Sequence, residues 1–68
     1  MHMTPVTSTN VAAVGYDPAR RILRVAFRSG RAYEYLGVGA QLYSLMLRPH
    51  PWRRIGRTVM AHPSRRVA

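Results

Sequence analysis

Residues Ile22 to Arg28 constrain this chain more than any other segment, because Leu23, Val25 and Phe27 alternate with Arg24, Ala26 and Arg28. A period of two sends successive side chains to opposite faces, so the segment is a half-buried strand with one apolar and one basic face. Ser29-Gly30 turns it back into Arg31-Ala32-Tyr33-Glu34-Tyr35-Leu36, a second strand rich in aromatic residues. Upstream, Val11 to Tyr16 is a short apolar run, and Asp17-Pro18 after it suits the first two positions of a type I turn. A three-stranded antiparallel β-meander is predicted.

The hairpin register decides what Tyr33 and Tyr35 are for. A two-residue turn at Ser29-Gly30 pairs Arg28 with Arg31, Ala26 with Tyr33 and Arg24 with Tyr35. That register gathers Arg24, Arg28, Arg31, Tyr33 and Tyr35 on one open face, a stacking platform for single-stranded RNA, and sets Glu34 on the core face. A three-residue loop over Arg28-Ser29-Gly30, with Gly30 in the left-handed bulge position, instead pairs Val25 with Tyr33, Leu23 with Tyr35 and Arg24 with Glu34. Both tyrosines then join the core, and Glu34 gains an arginine neighbour. The second register is favoured, because a one-residue slip moves every side chain to the other face and only this one keeps Glu34 out of the core.

Gly37-Val38-Gly39 breaks the meander, and Ala40 to Arg48 carries apolar residues at helical spacing until Pro49 and Pro51 stop it. One amphipathic helix packed on the sheet is predicted here, with Leu42, Tyr43, Leu45, Met46 and Leu47 as packing residues. Trp52, Ile55 and Val59 fall three and four apart, which fits a short second helix that Gly56 weakens. Residues 60–68 read as an extended basic C-terminus. Residues 1–9 show no period and read as a flexible lead-in, leaving a single domain over 10–67. The fold class is therefore α+β.

Eleven arginines and no lysine stand against Asp17 and Glu34, for a formal charge of +9. So large an excess suits a polyanion whose counterions are released on contact, and the planar guanidinium matches phosphate oxygens and stacks on bases. The expected partner is a nucleic acid, RNA before DNA, with an acidic protein as the alternative. The sharpest constellation is Arg48-Pro49-His50-Pro51-Trp52-Arg53-Arg54-Ile55-Gly56-Arg57, joined by Arg65 and Arg66. Its arginines suit phosphates and Trp52 suits one stacked base; equally, Trp52 suits a cap on the small core and the arginines a solvated face. Arg24, Arg28 and Arg31 are secondary candidates on the sheet.

Enzymatic chemistry is not expected. The two acids do not form a pair, and His2, His50 and His62 share no metal-ligand spacing, so no catalytic residue, metal or cofactor is assigned. The chain has no cysteine, which makes a reducing cytoplasm the simpler compartment. Its apolar runs are too short for a bilayer, and its polar first ten residues do not read as a signal sequence, so no membrane partner is expected.

In order and spacing, Val14-Gly15-Tyr16-Asp17, Leu23-x-Val25-x-Phe27, Ser29-Gly30, Tyr33-Glu34-Tyr35, Gly37-Val38, Tyr43, and the tail with Pro63 and Arg65-Arg66 resemble the KTSC domain. That module is named for its place at the C-terminus of some lysyl-tRNA synthetases, and it also occurs as small stand-alone bacterial proteins. The resemblance spans about residues 8–67 and implies RNA as the partner through the synthetase context. The chain departs from the family at Gly39, where proline is usual, and at Arg54-Ile55-Gly56, where an aromatic pair and asparagine are usual. Against the nucleic-acid reading stands self-association or docking through the outer sheet face, where Ile22 and Leu36 are expected to lie exposed.

Overall fold

The computed structural model describes all of residues 1–68. Strands β1 (Thr4–Pro5), β2 (Val11–Asp17), β3 (Ile22–Phe27) and β4 (Ala32–Leu36) are followed by helices α1 (Ala40–Met46) and α2 (Pro51–Met60) and by strand β5 (Ser64–Arg66). The strands form one antiparallel sheet in chain order, β1-β2-β3-β4-β5. The α+β class is correct, but the sheet has five strands where three were expected. Both additions are edge strands of two or three residues, too short to carry an alternating pattern. The extended basic C-terminus is β5, paired along β4, and the second helix is longer than the first rather than a short appendage.

The β3–β4 hairpin has the three-residue loop. Val25 pairs with Tyr33, Leu23 with Tyr35 and Arg24 with Glu34. Phe27 N donates to Arg31 O at 2.8 Å, and Gly30 N donates to Phe27 O at 3.0 Å. Gly30 has φ +96°, open to glycine and strained for other residues. Leu23, Val25 and Tyr35 consequently face the helices, together with Val11 and Val14 of β2. Those two valines are three residues apart and would point to opposite faces of a regular strand. The register shift between Val11 and Ala13 accommodates Ala12 as an extra residue, so that both valines reach the core.

Val38, Met46 and Val59 close the core from above the sheet, each fully buried. Burying side chains of this size contributes about 1.5–3 kcal/mol apiece. Tyr16 stacks on Tyr43 of α1 (ring centroids 5.1 Å apart) and donates its hydroxyl to Val38 O at 2.6 Å, fixing α1 over β2. Helix α1 ends at Met46, two residues before Arg48, and the Pro49-His50-Pro51 connection turns the chain directly into α2 with His50 in the left-handed region (φ 52°).

Residues 1–9, read from the sequence as a flexible lead-in, contain β1 and two buried side chains, Val6 and Ser8. The segment is tied down by polar contacts rather than by a periodic pattern. Ser8 Oγ accepts from the N–H groups of Asn10 and Val11, both at 3.1 Å, His50 N donates to Thr7 O at 2.6 Å, and Arg28 Nε donates to Ser8 O at 2.8 Å.

Candidate nucleic-acid interface

Phe27, Tyr33, Tyr35 and Trp52 meet at the end of the helix-side face that α2 only partly covers. Phe27 presents near-perpendicular rings to Trp52 (centroids 5.0 Å) and Tyr33 (6.1 Å), while Tyr35 lies 6.3 Å from Trp52 and 6.5 Å from Tyr33. These arrangements suit the ring quadrupole, which favours edge-to-face over stacked-sandwich packing. Together with Thr9, Asn10, Arg28, Ser29, Arg31, Met60 and Ser64, the four rings line an open groove of about 770 Å³. The Tyr-x-Tyr pair therefore faces the helices as the favoured register requires, yet only Tyr35 is buried, and Tyr33 is half-exposed at the groove.

Trp52 caps the core, as one of the two readings left open by the sequence expected, and its remaining surface faces outward. It packs against the core cluster, and it also forms a groove wall. Gly56 explains how it reaches there: the indole lies over Gly56, and a Cβ at that position would come within 3.1 Å of the ring. The glycine that counts against a helix on propensity is buried and gives the indole its seat.

Burial pushes the Tyr35 hydroxyl pKa above its ordinary value, and neighbouring Tyr33 pushes it further. No buried side-chain oxygen or nitrogen lacks a partner. The hydroxyls of Tyr33 and Tyr35, which bond to no protein group, are thus accessible to solvent.

The arginines divide by surroundings. Arg53, Arg54 and Arg57 occupy the exposed side of α2, with Arg48 exposed just before it. Arg53 and Arg57 are one turn apart, and Arg53 lies two turns from the groove residue Met60, so both point to the groove's side of the helix. Arg28 and Arg31 stand at the opposite wall, on the hairpin loop. Arg66 pairs in register with Tyr33 at the sheet edge and donates from Nε to Ala68 O at 2.9 Å.

Arg24 and Arg65 belong elsewhere. On the outer face, Arg24 gives Nε (3.0 Å) and Nη2 (2.5 Å) to Glu34 Oε2, and Arg65 gives Nε (3.0 Å) and Nη2 (2.7 Å) to Oε1. Glu34 is 3% exposed. The favoured register does not leave this carboxylate in water as expected; it is buried on the far side of the sheet, beneath two guanidinium groups. Hydrogen bonds from Arg65 first and Arg24 second hold its pKa below the usual carboxylate range, against the opposing effect of burial. Asp17 is occupied as well, accepting from the N–H groups of Ala19 (3.0 Å) and Arg20 (3.3 Å). No three His, Asp or Glu side chains gather as a metal site would require, and no helix is long and apolar enough to cross a membrane.

Sequence reasoning names Trp52, Arg28, Arg31, Tyr33 and the α2 arginines but misses Phe27, Met60 and the Thr9-Asn10 wall. Phe27 was within reach: it follows Val25 on the same face of its strand, and Val25 pairs with Tyr33, so the favoured register already brings the two rings together. Ile22 and Leu36 do pair on the outer face, but each is half-buried, so the exposed apolar patch expected there is reduced.

A protein of Tsukamurella paurometabola is 40% identical over 45 residues, covering 66% of this chain and 67% of that protein. The crystal structure of a KTSC domain protein from Yersinia pestis superposes with a TM-score of 0.88 at 26% identity, covering 98% of this chain and 97% of the other. The sequence profile of the KTSC domain matches residues 7–49, from the Ser8 turn through α1. With a match over more than half of its length and the same fold throughout, the chain belongs to the KTSC domain family.

Proposed function

We infer that this protein binds single-stranded nucleic acid, RNA in preference to DNA, without catalysing a reaction, and that the α2 arginines and the hairpin arginines contact the phosphates on either side of the groove. The observation that carries this reading is the lack of carboxylate partners for these charges. Arg20, Arg24 and Arg65 each lie within 4.0 Å of a carboxylate, and the remaining eight arginines do not. Arg53 and Arg57 at i,i+4, and Arg54 and Arg57 at i,i+3, repel one another along a helix face. Like charges at such spacings destabilise a helix by about 0.2–0.5 kcal/mol per pair. A polyanion laid along α2 relieves that repulsion and gains counterion release. RNA is favoured because sequence reading of RNA works mainly on unstacked single-stranded bases, which an aromatic groove accepts, and because the synthetase context of the family points the same way.

With both carboxylates engaged, neither is free to act as a general acid or base, which supports binding over catalysis. The test is titration of a short single-stranded RNA at several salt concentrations. Affinity is expected to fall steeply with salt. Substituting Arg53, Arg54 and Arg57 by Ala is expected to weaken binding and reduce the slope of log K against log salt by about 2, since each phosphate contact contributes about 0.7 on single strands. Absence of binding to any nucleic acid at low salt overturns the proposal. Salt-sensitive retention of an acidic protein in its place favours the protein-docking alternative.

A further inference from the structure

The geometry points to the groove between the β3–β4 hairpin and α2 as a pocket for one unpaired base of a bound single strand, set against Tyr33 and Trp52, with its flanking phosphates on Arg31 and Arg53. This rests on the nucleic-acid reading above and deepens it, since phosphate contacts alone need no groove. Three features favour a base over an aliphatic or peptide occupant. The lining is aromatic and continuous from sheet to helix, Tyr33 meeting Phe27 and Phe27 meeting Trp52, which suits a flat π-system laid on it. The hydroxyls of Tyr33 and Tyr35, two residues that line the groove, are unpaired within the protein and solvent-accessible, free to meet the polar edge of a base. Cations flank it, with Arg28 and Arg31 lining the hairpin wall and Arg53 and Arg57 exposed on the same side of α2 as the lining residue Met60, as a strand entering and leaving the groove requires, while neither Asp17 nor Glu34 lines it.

Trp52 is the chain's single tryptophan, so its emission reports on this groove alone. The experiment titrates the whole protein with a short oligouridylate and with an abasic oligomer of the same length and charge. A stacked base contributes enough to distinguish them: binding is expected to be about tenfold tighter for the oligouridylate, with Trp52 emission quenched only by it. Tyr33→Leu, which keeps apolar bulk without the ring, is expected to lower oligouridylate affinity about tenfold at an unchanged salt slope, whereas Arg53→Ala lowers affinity and slope together. Equal binding of the two oligomers with no change in Trp52 emission overturns the base pocket while leaving the phosphate reading standing. Failure of both to bind at low salt overturns both. An oligothymidylate that matches the oligouridylate supports the pocket and removes the preference for RNA.

Discussion

The two faces of the sheet use arginine for opposite ends. On the outer face, Arg24 and Arg65 lie across β3, β4 and β5 with both carboxylate oxygens of Glu34 taken by a guanidinium. On the helix side, Arg53, Arg54 and Arg57 stand free along α2 beside an open aromatic groove. The side chains are chemically identical, and what separates them is access to one of only two carboxylates. A chain with eleven arginines and two acids cannot neutralise its charge internally, so the location of each acid decides which arginines are ion-paired and which are not. Glu34 joins the last strand to the sheet and leaves the helix side uncompensated.

The comparison predicts that charge removal has separable effects. The largest concerns binding: the triple Arg53, Arg54, Arg57 to Ala variant is expected to lose RNA affinity while its melting temperature holds or rises, because like-charge repulsion in α2 is relieved. A large loss of thermal stability in that variant would place these arginines among the structural ones.

Glu34→Gln tests the other face. It removes the charge that organises both guanidinium groups, and a cost of about 1–3 kcal/mol is expected, toward the lower end because the Arg65 side chain is 61% exposed and screened by water. Exchange protection of the β5 amides should fall with it, while RNA affinity holds. An unchanged melting temperature and unchanged protection would reduce the ion triad to an incidental contact.

Acid acts on the same site. The folded state holds the Glu34 pKa below its ordinary 4.5, so the stability it contributes is fully present above that value and is lost as pH falls through the depressed one. The stability gap between the native protein and Glu34→Gln should narrow as pH drops below about 4.5, and a gap that stays constant would remove the carboxylate's charge from the account. The smallest effect belongs to neither face. Gly39 caps α1 with φ −77° and ψ 154°, a conformation proline adopts, and its N–H makes no backbone hydrogen bond. Gly39→Pro, the residue usual in the family, is expected to raise stability by about 0.4–1 kcal/mol through the unfolded state, measured by denaturant midpoint.

The meander was legible because each of its elements has a local cause. The alternation of Leu23, Val25 and Phe27 fixes a strand, and Ser29-Gly30 supplies a loop whose glycine takes the left-handed conformation. Glu34 selects the register by being intolerable in the core. The family resemblance was legible on the same residues. What was missed lacks a local signature. Ser64 to Arg66 has no apolar alternation, and β5 forms because Arg65 meets Glu34 across 31 residues of sequence. Thr4–Pro5 is too short for any period, and it is held in place by the contacts of Thr7 and Ser8 with His50, Asn10, Val11 and Arg28.

From the sequence alone follow the class of fold, the hairpin register with the tyrosines on the helix side, and the excess of positive charge, since each depends on side-chain period, turn geometry or a count. The tertiary structure alone decides that Glu34 is buried beneath two arginines rather than solvated, and that Gly56 seats Trp52 across from Phe27 and Tyr33 to shape a groove. Those outcomes depend on which distant residues meet when the sheet closes and α2 folds back over it. Packing and ion pairing act through space, and a linear pattern records them only where the partners are also neighbours in the chain.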